Sequence, residues 1–225
     1  MKLSDIKGTY DLALSLGAPC QPAEQLRRHG LRSFSGPFDW TVLESVPCLI
    51  KAIESKFDNY FSFNNLVLKG RHDHTYLIFD QLYQCMSVHD FPLVANDNID
   101  MIFDAYPLFI EKMQRRIKRF YERISQSKKT LFVRYHANYQ DTQALQKCLK
   151  NLTNDNFVLL VLNESNSKEF IEENWDIENT YSAKICQSPD IPWQGYTPHW
   201  DKLLNGIYLK NYEIDKDISL FDPDI

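Results

Sequence analysis

Apolar positions fall into two patterns along this chain. Three uninterrupted runs, Leu12 to Leu16, Thr130 to Tyr135 (TLFVRY) and Phe157 to Leu162 (FVLLVL), suit strands covered on both faces. Elsewhere the spacing turns helical. Ala23 to His29 reads as a short helix, with Pro22 in its first turn and Gly30 as its cap. From Thr41 to Lys56 the positions Val42, Leu43, Val46, Leu49, Ile50 and Ile53 recur at three- and four-residue steps, and Pro47 predicts a kink or a division there. Ile99 to Ile124 carries the clearest helical stripe: Tyr106, Phe109, Ile110, Met113, Ile117, Phe120, Tyr121 and Ile124. Lys112, Arg115, Arg116, Lys118, Arg119 and Arg123 crowd its other side, which reads as a solvated face. Asp141 to Leu152 is a further amphipathic helix.

The intervening stretches are less regular. Phe57 to Leu68 reads as an irregular edge feeding a short strand, Arg71 to His74 as a solvated turn, and Thr75 to Phe79 as a short strand. Beyond residue 168 the pattern weakens: a peripheral helix begins over Glu169 to Asn174, a strand covers Tyr181 to Cys186, and Ser188 to Trp193 is a loop. A helix started by Thr197 or Pro198 runs through Leu204, and the FDPDI tail is peripheral. The strand, helix, strand order from Thr130 to Leu162 asks for parallel pairing with helices on both faces. The expected fold is one α/β domain over residues 1–225, a three-layer arrangement around a central mainly parallel sheet of undetermined strand order. Residues 169–225 form its less regular part.

Composition narrows the class. An apolar fraction of 44% excludes a disordered chain, and a formal charge of -5 offers no general attraction to nucleic acid or anionic lipid. Five separated cysteines, Cys20, Cys48, Cys85, Cys148 and Cys186, have neither CxxC nor zinc-site spacing, which points to reduced thiols and a cytoplasmic protein. No signal-peptide pattern or 18-residue apolar run is present, so no membrane association is expected. SLGAPC is neither a GxGxxG nor a GxxxxGK[ST] loop, and the expectation is no cofactor and no metal.

The chemistry converges on the first strand-to-helix junction. Gly17 frees the chain to turn, and Cys20 follows where helix N–H groups and the dipole favour a thiolate. In parallel sheets ligands collect beyond the carboxyl ends of strands, where Cys20, Arg134, His136 and Asn163 lie by sequence. Two histidines are candidates for the proton-transfer partner of Cys20. His89, with Asp90 beside it, sits in a segment stiffened by Pro92; His199 sits early in the last helix. Asp39, between Phe38 and Trp40, either orients a histidine or caps backbone N–H groups. Arg27, Arg28, Arg134, His136, Trp40 and Trp193 are the candidate substrate-binding residues, with a forked donor such as Arg134 suited to an anion.

A resemblance accompanies these residues. SLGAPCQPAEQLRRHGLRSFSGPFDW, from Ser15 to Trp40, together with VHDF (Val88 to Phe91) and LFVR (Leu131 to Arg134), resembles a bacterial family described as papain-like cysteine peptidases. In that family a strand ends in a Ser-Leu-Gly-x-x-Cys turn, followed by a helix with paired arginines and a Pro-Phe-Asp-Trp segment. The resemblance implies a cysteine-centred site. It also implies a helical lobe against an antiparallel sheet, in conflict with the parallel sheet that the apolar strands demand. The function expected is a cysteine-dependent hydrolase or acyltransferase acting on a peptide, amide or thioester, its substrate a peptide or small molecule that can be anionic. The alternatives are a transferase modifying a saccharide or polar metabolite, and a non-catalytic domain that binds through the aromatic loops Leu31 to Trp40 and Ile191 to Trp200.

Overall fold

A computed structural model describes residues 1–153, 156–187 and 192–211. The tail expected to be peripheral, and positions 188–191 of the expected loop, lie outside the described residues. In chain order, β1 (Gly8–Tyr10) and β2 (Leu12–Ser15) lead into α1 (Gln21–Arg28), followed by β3 (Thr41–Val42) and α2 (Val46–Glu54). Then come β4 (Leu66–His72), β5 (Thr75–Asp80), β6 (Cys85–Ser87), α3 (Ile99–Phe103) and α4 (Tyr106–Gln126). The rest of the described chain forms β7 (Thr130–Tyr135), α5 (Tyr139–Thr153), β8 (Phe157–Ser165), β9 (Ile171–Glu173), β10 (Thr180–Cys186), α6 (Thr197–Leu204) and β11 (Ile207–Leu209).

The three apolar runs become neighbours. The central sheet has the order β2-β7-β8-β10-β9, parallel throughout except for β9 at its edge. Alternation along the strands sends side chains to two separate cores. Leu12, Leu14, Phe132, Leu159 and Val161 pack with Leu49 and Ile53 of α2, Met113 and Phe120 of α4, and Leu145 and Leu149 of α5. Ala13, Leu131, Val133, Val158 and Leu160 pack with Leu26 of α1 and with Trp200 and Leu203 of α6. The chain is thus a mixed α/β structure with a mostly parallel central sheet. A second sheet, β3-β6-β5-β4, is antiparallel and contributes Tyr76 and Ile78 to the first core.

Four local expectations are corrected. Pro47 does not kink a helix: it occupies the first turn of α2, behind the Ser45 cap whose hydroxyl accepts the Cys48 N–H at 3.3 Å. Thr41 and Val42, placed by spacing in that helix, pair instead with β6. The long stripe from Ile99 divides at Asp104 and Ala105 into α3 and α4, with Pro107 in the first turn of α4. Finally, the segment expected to start a peripheral helix at Glu169 is the edge strand β9. Its Glu173 accepts the Ser182 hydroxyl at 2.7 Å and lies 3.6 Å from the Lys184 ammonium, so cross-strand polar pairing overrides helix propensity.

Candidate active site

The loop leaving β2 is shaped by Gly17, whose φ of +75° and position 3.0 Å from the Phe38 carbonyl oxygen, measured from an added Cβ, leave no room for a side chain. The chain then reaches Cys20, the N-cap residue of α1, with Pro22 in the first turn. The Cys20 Sγ lies 3.6 Å from His89 Nε2. Cys20 is buried while His89 is exposed.

His89 arrives from the other sheet. Ser87, the last residue of β6, is fully buried, and its hydroxyl donates to Asp90 Oδ2 at 2.9 Å. The other Asp90 oxygen accepts from Lys112 Nζ of α4 at 2.7 Å. Phe91 is buried against Phe103 and Phe109, and its carbonyl accepts the Tyr76 N–H at 2.7 Å. The short segment carrying His89 is therefore fixed on both sides. The Trp40 indole and the imidazole meet in a T-shaped contact, with centroids 5.7 Å apart and planes at 89°.

Asp39 stands behind Trp40. It is buried, accepts the Gly36 N–H at 2.9 Å, and lies 3.5 Å from Arg32 NH1. Arg32 in turn lies 4.8 Å from the Trp40 ring centroid, close enough for a cation–π contact. Of the two roles foreseen for Asp39, backbone capping is the one seen. Burial raises its carboxyl above the ordinary range, opposed by the charges of Arg32 and Arg116 and by the Gly36 N–H. The same burial acts on the thiol: desolvation first, then the negative charges of Asp39 and Asp90, push Cys20 up to about 12. The thiolate expected from the helix terminus is thus overruled at rest, because burial and two carboxylates outweigh the dipole.

The remaining candidates are distributed differently. His199 is engaged elsewhere: its Nδ1 accepts the Cys186 N–H at 3.0 Å, and its ring meets Phe170 and Tyr196 edge-on. Arg134, proposed on sequence as an anion clamp, is fully buried and donates to the carbonyls of Leu16, Leu43, Glu44 and His136 at 2.6–3.3 Å. Its fork binds backbone, tying the end of β2 to β7 and to the stretch before α2. Arg27 is paired with Glu24 through two contacts of 2.8 Å. Arg28 is exposed and donates to Thr197 Oγ1 at 3.3 Å, and Trp193 is exposed, its carbonyl accepting from Gln21 Nε2.

His136, with φ of +60°, lines an open cavity of about 530 Å³ beyond the carboxyl ends of β7 and β8, together with Asn163, Asp141, Glu173 and Trp175. Desolvation lowers its pKa against the pull of Glu164, 3.7 Å away. Asn163 is partly engaged here, exchanging hydrogen bonds with the Ala137 backbone. Among the described residues no group of three His, Cys, Asp or Glu side chains is placed to hold a metal ion, and no helix is long and apolar enough to cross a membrane.

Sequence reasoning missed three features. The cationic side of α4 is not wholly solvated: Arg116 is buried, and Lys112 borders the apolar stripe beside Met113. The contact of Trp40 with His89 has no local signal. Neither has a relay of amides at the other side of Cys20, where Gln21 Nε2 donates to Gln187 Oε1 at 3.2 Å and Gln187 Nε2 donates to the Tyr135 hydroxyl at 2.7 Å.

The chain is 29% identical over 218 residues to "Uncharacterized protein R408" of Acanthamoeba polyphaga mimivirus, covering 86% of this chain and 96% of that protein. That relative is viral, so the expected restriction to bacteria finds no support. No solved structure matches the chain. Residues 11–166, which include Cys20, Asp39, His89 and Arg134, match the family described as "Putative papain-like cysteine peptidase (DUF1796)", and the chain belongs to that family.

Proposed function

We propose that this chain is a cysteine-dependent hydrolase or acyltransferase acting on a peptide, amide or thioester, with Cys20 as nucleophile and His89 as the group that takes its proton. The observation carrying this reading is the 3.6 Å approach of Cys20 Sγ to His89 Nε2 at the N-terminus of α1. The family description supports cysteine-dependent hydrolysis at a coarse level.

The electrostatics suit general-base activation. At rest the thiol is neutral, since burial pushes it up to about 12. As Sγ bonds to a substrate carbonyl carbon, the thiol proton passes to His89 Nε2 and the carbonyl oxygen takes up the negative charge of the tetrahedral adduct. Asp39 and Asp90 oppose a free thiolate, so proton removal and formation of the carbon–sulfur bond go together. His89 then returns the proton to the leaving amine or thiol as the tetrahedral adduct collapses to a Cys20 thioester. Water or another acceptor, deprotonated by the same imidazole, attacks that thioester and releases Cys20.

The test is acyl-enzyme trapping. A panel of peptide amides and acyl thioesters is mixed with the protein, quenched within one turnover, and mapped by peptide mass analysis. The expected result is an acyl adduct on Cys20, absent from Cys20→Ala and formed far more slowly by His89→Ala. Adducts confined to other cysteines, or unchanged acylation in His89→Ala, would overturn the assignment.

A further inference from the structure

Two cations of the basic face of α4 are turned inward: Arg116, which is buried, and Lys112. Lys112 sits at the border of the apolar stripe, with its Nζ 2.7 Å from Asp90 Oδ1 and its side chain 23% exposed against 3% for Asp90. Asp90 does not use this oxygen, or the one held by Ser87, to orient the imidazole. Instead it is the peg between a buried β6 residue and a helix, and His89 is the residue immediately before it. Side-chain torsion in His89 is checked by Trp40 on one side. The backbone from which that ring projects is held by Ser87, Asp90 and Phe91.

We infer that Lys112 is a positioning residue for the Cys20–His89 pair, holding His89 in reach of the thiol by anchoring Asp90 to α4. This rests on the proposed function, in which His89 accepts the thiol proton. Two consequences follow from the geometry. Without Lys112 the Asp90 carboxylate keeps only the Ser87 hydroxyl of the two side-chain partners described here, and the segment loses its tie to α4. A proton transfer that depends on a 3.6 Å approach is sensitive to such a shift, since misplacement of a reacting group by an ångström can lower a rate about a hundredfold. Charge changes too: the ionisable groups around the pair are Asp39 from the loop before β3, Asp90 from the exit of β6, and Lys112 and Arg116 from α4.

The experiment measures Cys20 alkylation by iodoacetamide from pH 6 to 11, resolved by mass analysis, for the full chain and for Lys112→Met, Lys112→Arg and His89→Ala. The limb of reactivity near neutral pH reports proton acceptance by His89, whereas the rise toward high pH reports direct ionisation of the thiol. Lys112→Met is expected to lower the neutral limb about tenfold and to leave the alkaline rise in place, and Lys112→Arg to recover most of it. Cys48 and Cys186 serve as internal controls, because general loosening of the fold would raise their labelling together with that of Cys20. A Lys112→Met profile superimposable on that of the unmodified protein, while His89→Ala loses the neutral limb, would overturn the positioning role alone. If His89→Ala keeps the neutral limb, it is the pairing of Cys20 with His89 that fails. Loss in Lys112→Met with no recovery in Lys112→Arg and raised labelling of the control cysteines would assign Lys112 to folding, against the inference.

Discussion

The central parallel sheet and the smaller antiparallel sheet divide the site between them. The first supplies Cys20, through a turn at the carboxyl end of β2 and the start of α1; the second supplies His89, just beyond β6. In the parallel half, position follows from topology, because carboxyl ends of strands share one edge. In the antiparallel half it follows from pegs: Ser87 and Lys112 on Asp90, Phe91 in the core, and Trp40 against the ring. A site assembled in this way is only as good as the ties between its two halves. The conflict between the lobes that the papain-like resemblance implies and the parallel strands falls on the side of the strands: the central sheet is mostly parallel, and the antiparallel sheet is a separate one.

Perturbations of that division are expected to rank as follows. The largest effect belongs to the reacting groups themselves: Cys20→Ala or His89→Ala should lower single-turnover acylation by about a thousandfold or more. The double variant should be no slower than Cys20→Ala, because both groups serve one step. Next comes the tie between the halves. Arg134→Met leaves the carbonyls of Leu16, Leu43 and Glu44 without their donor and should cost about 3 kcal/mol in denaturant unfolding, the usual scale for stripping several charge-assisted hydrogen bonds from a buried site. An unchanged unfolding midpoint would remove Arg134 from the scaffold and reopen its reading as an anion clamp.

A smaller loss is expected at the turn. Gly17→Ala forces a side chain into a left-handed conformation against the Phe38 carbonyl and should cost about 1–3 kcal/mol, with Cys20 labelling changed before global unfolding is reached. The last effect concerns pH and is confined to the alkaline range. Cys20, Cys85 and Cys148 are each pushed by burial from the ordinary 9.0 up to about 12. The folded thiols hold their protons longer than unfolded ones, so their contribution to stability is intact below pH 9 and is lost as pH rises toward 12. Unfolding midpoints should decline through that window, and Cys85→Ala should make the decline shallower. A midpoint that does not respond to the substitution would show that ionisation of Cys85 is not part of it.

The legibility of the sequence differs between the same two halves. Apolar runs are a strong local signal, and they placed β2, β7, β8, α1 and α5 close to where they stand. The pairing of Cys20 with His89 rather than His199 is narrowed in sequence only by context, because Asp90 stands beside His89 and Pro92 stiffens its segment. Other features depend on contacts across many residues and leave little local trace. Val42 looks helical by spacing yet pairs with Met86, and the segment after Lys168 folds as a strand because β10 offers it partners. Arg134 reads as a free fork at a strand end only while the carbonyls of Leu16, Leu43 and Glu44 are unseen. The acidity of Cys20 failed for a related reason: a helix terminus is visible in sequence, whereas burial and two approaching carboxylates are not.

The neutral thiol has a consequence beyond acyl transfer. Peroxide and disulfides react with thiolate, and a thiol that ionises only near 12 presents very little of it at neutral pH. On the proposed mechanism, entry of Cys20 into the oxidation that leads from sulfenic to sulfinic acid therefore depends on the same proton acceptance by His89 that acyl transfer uses.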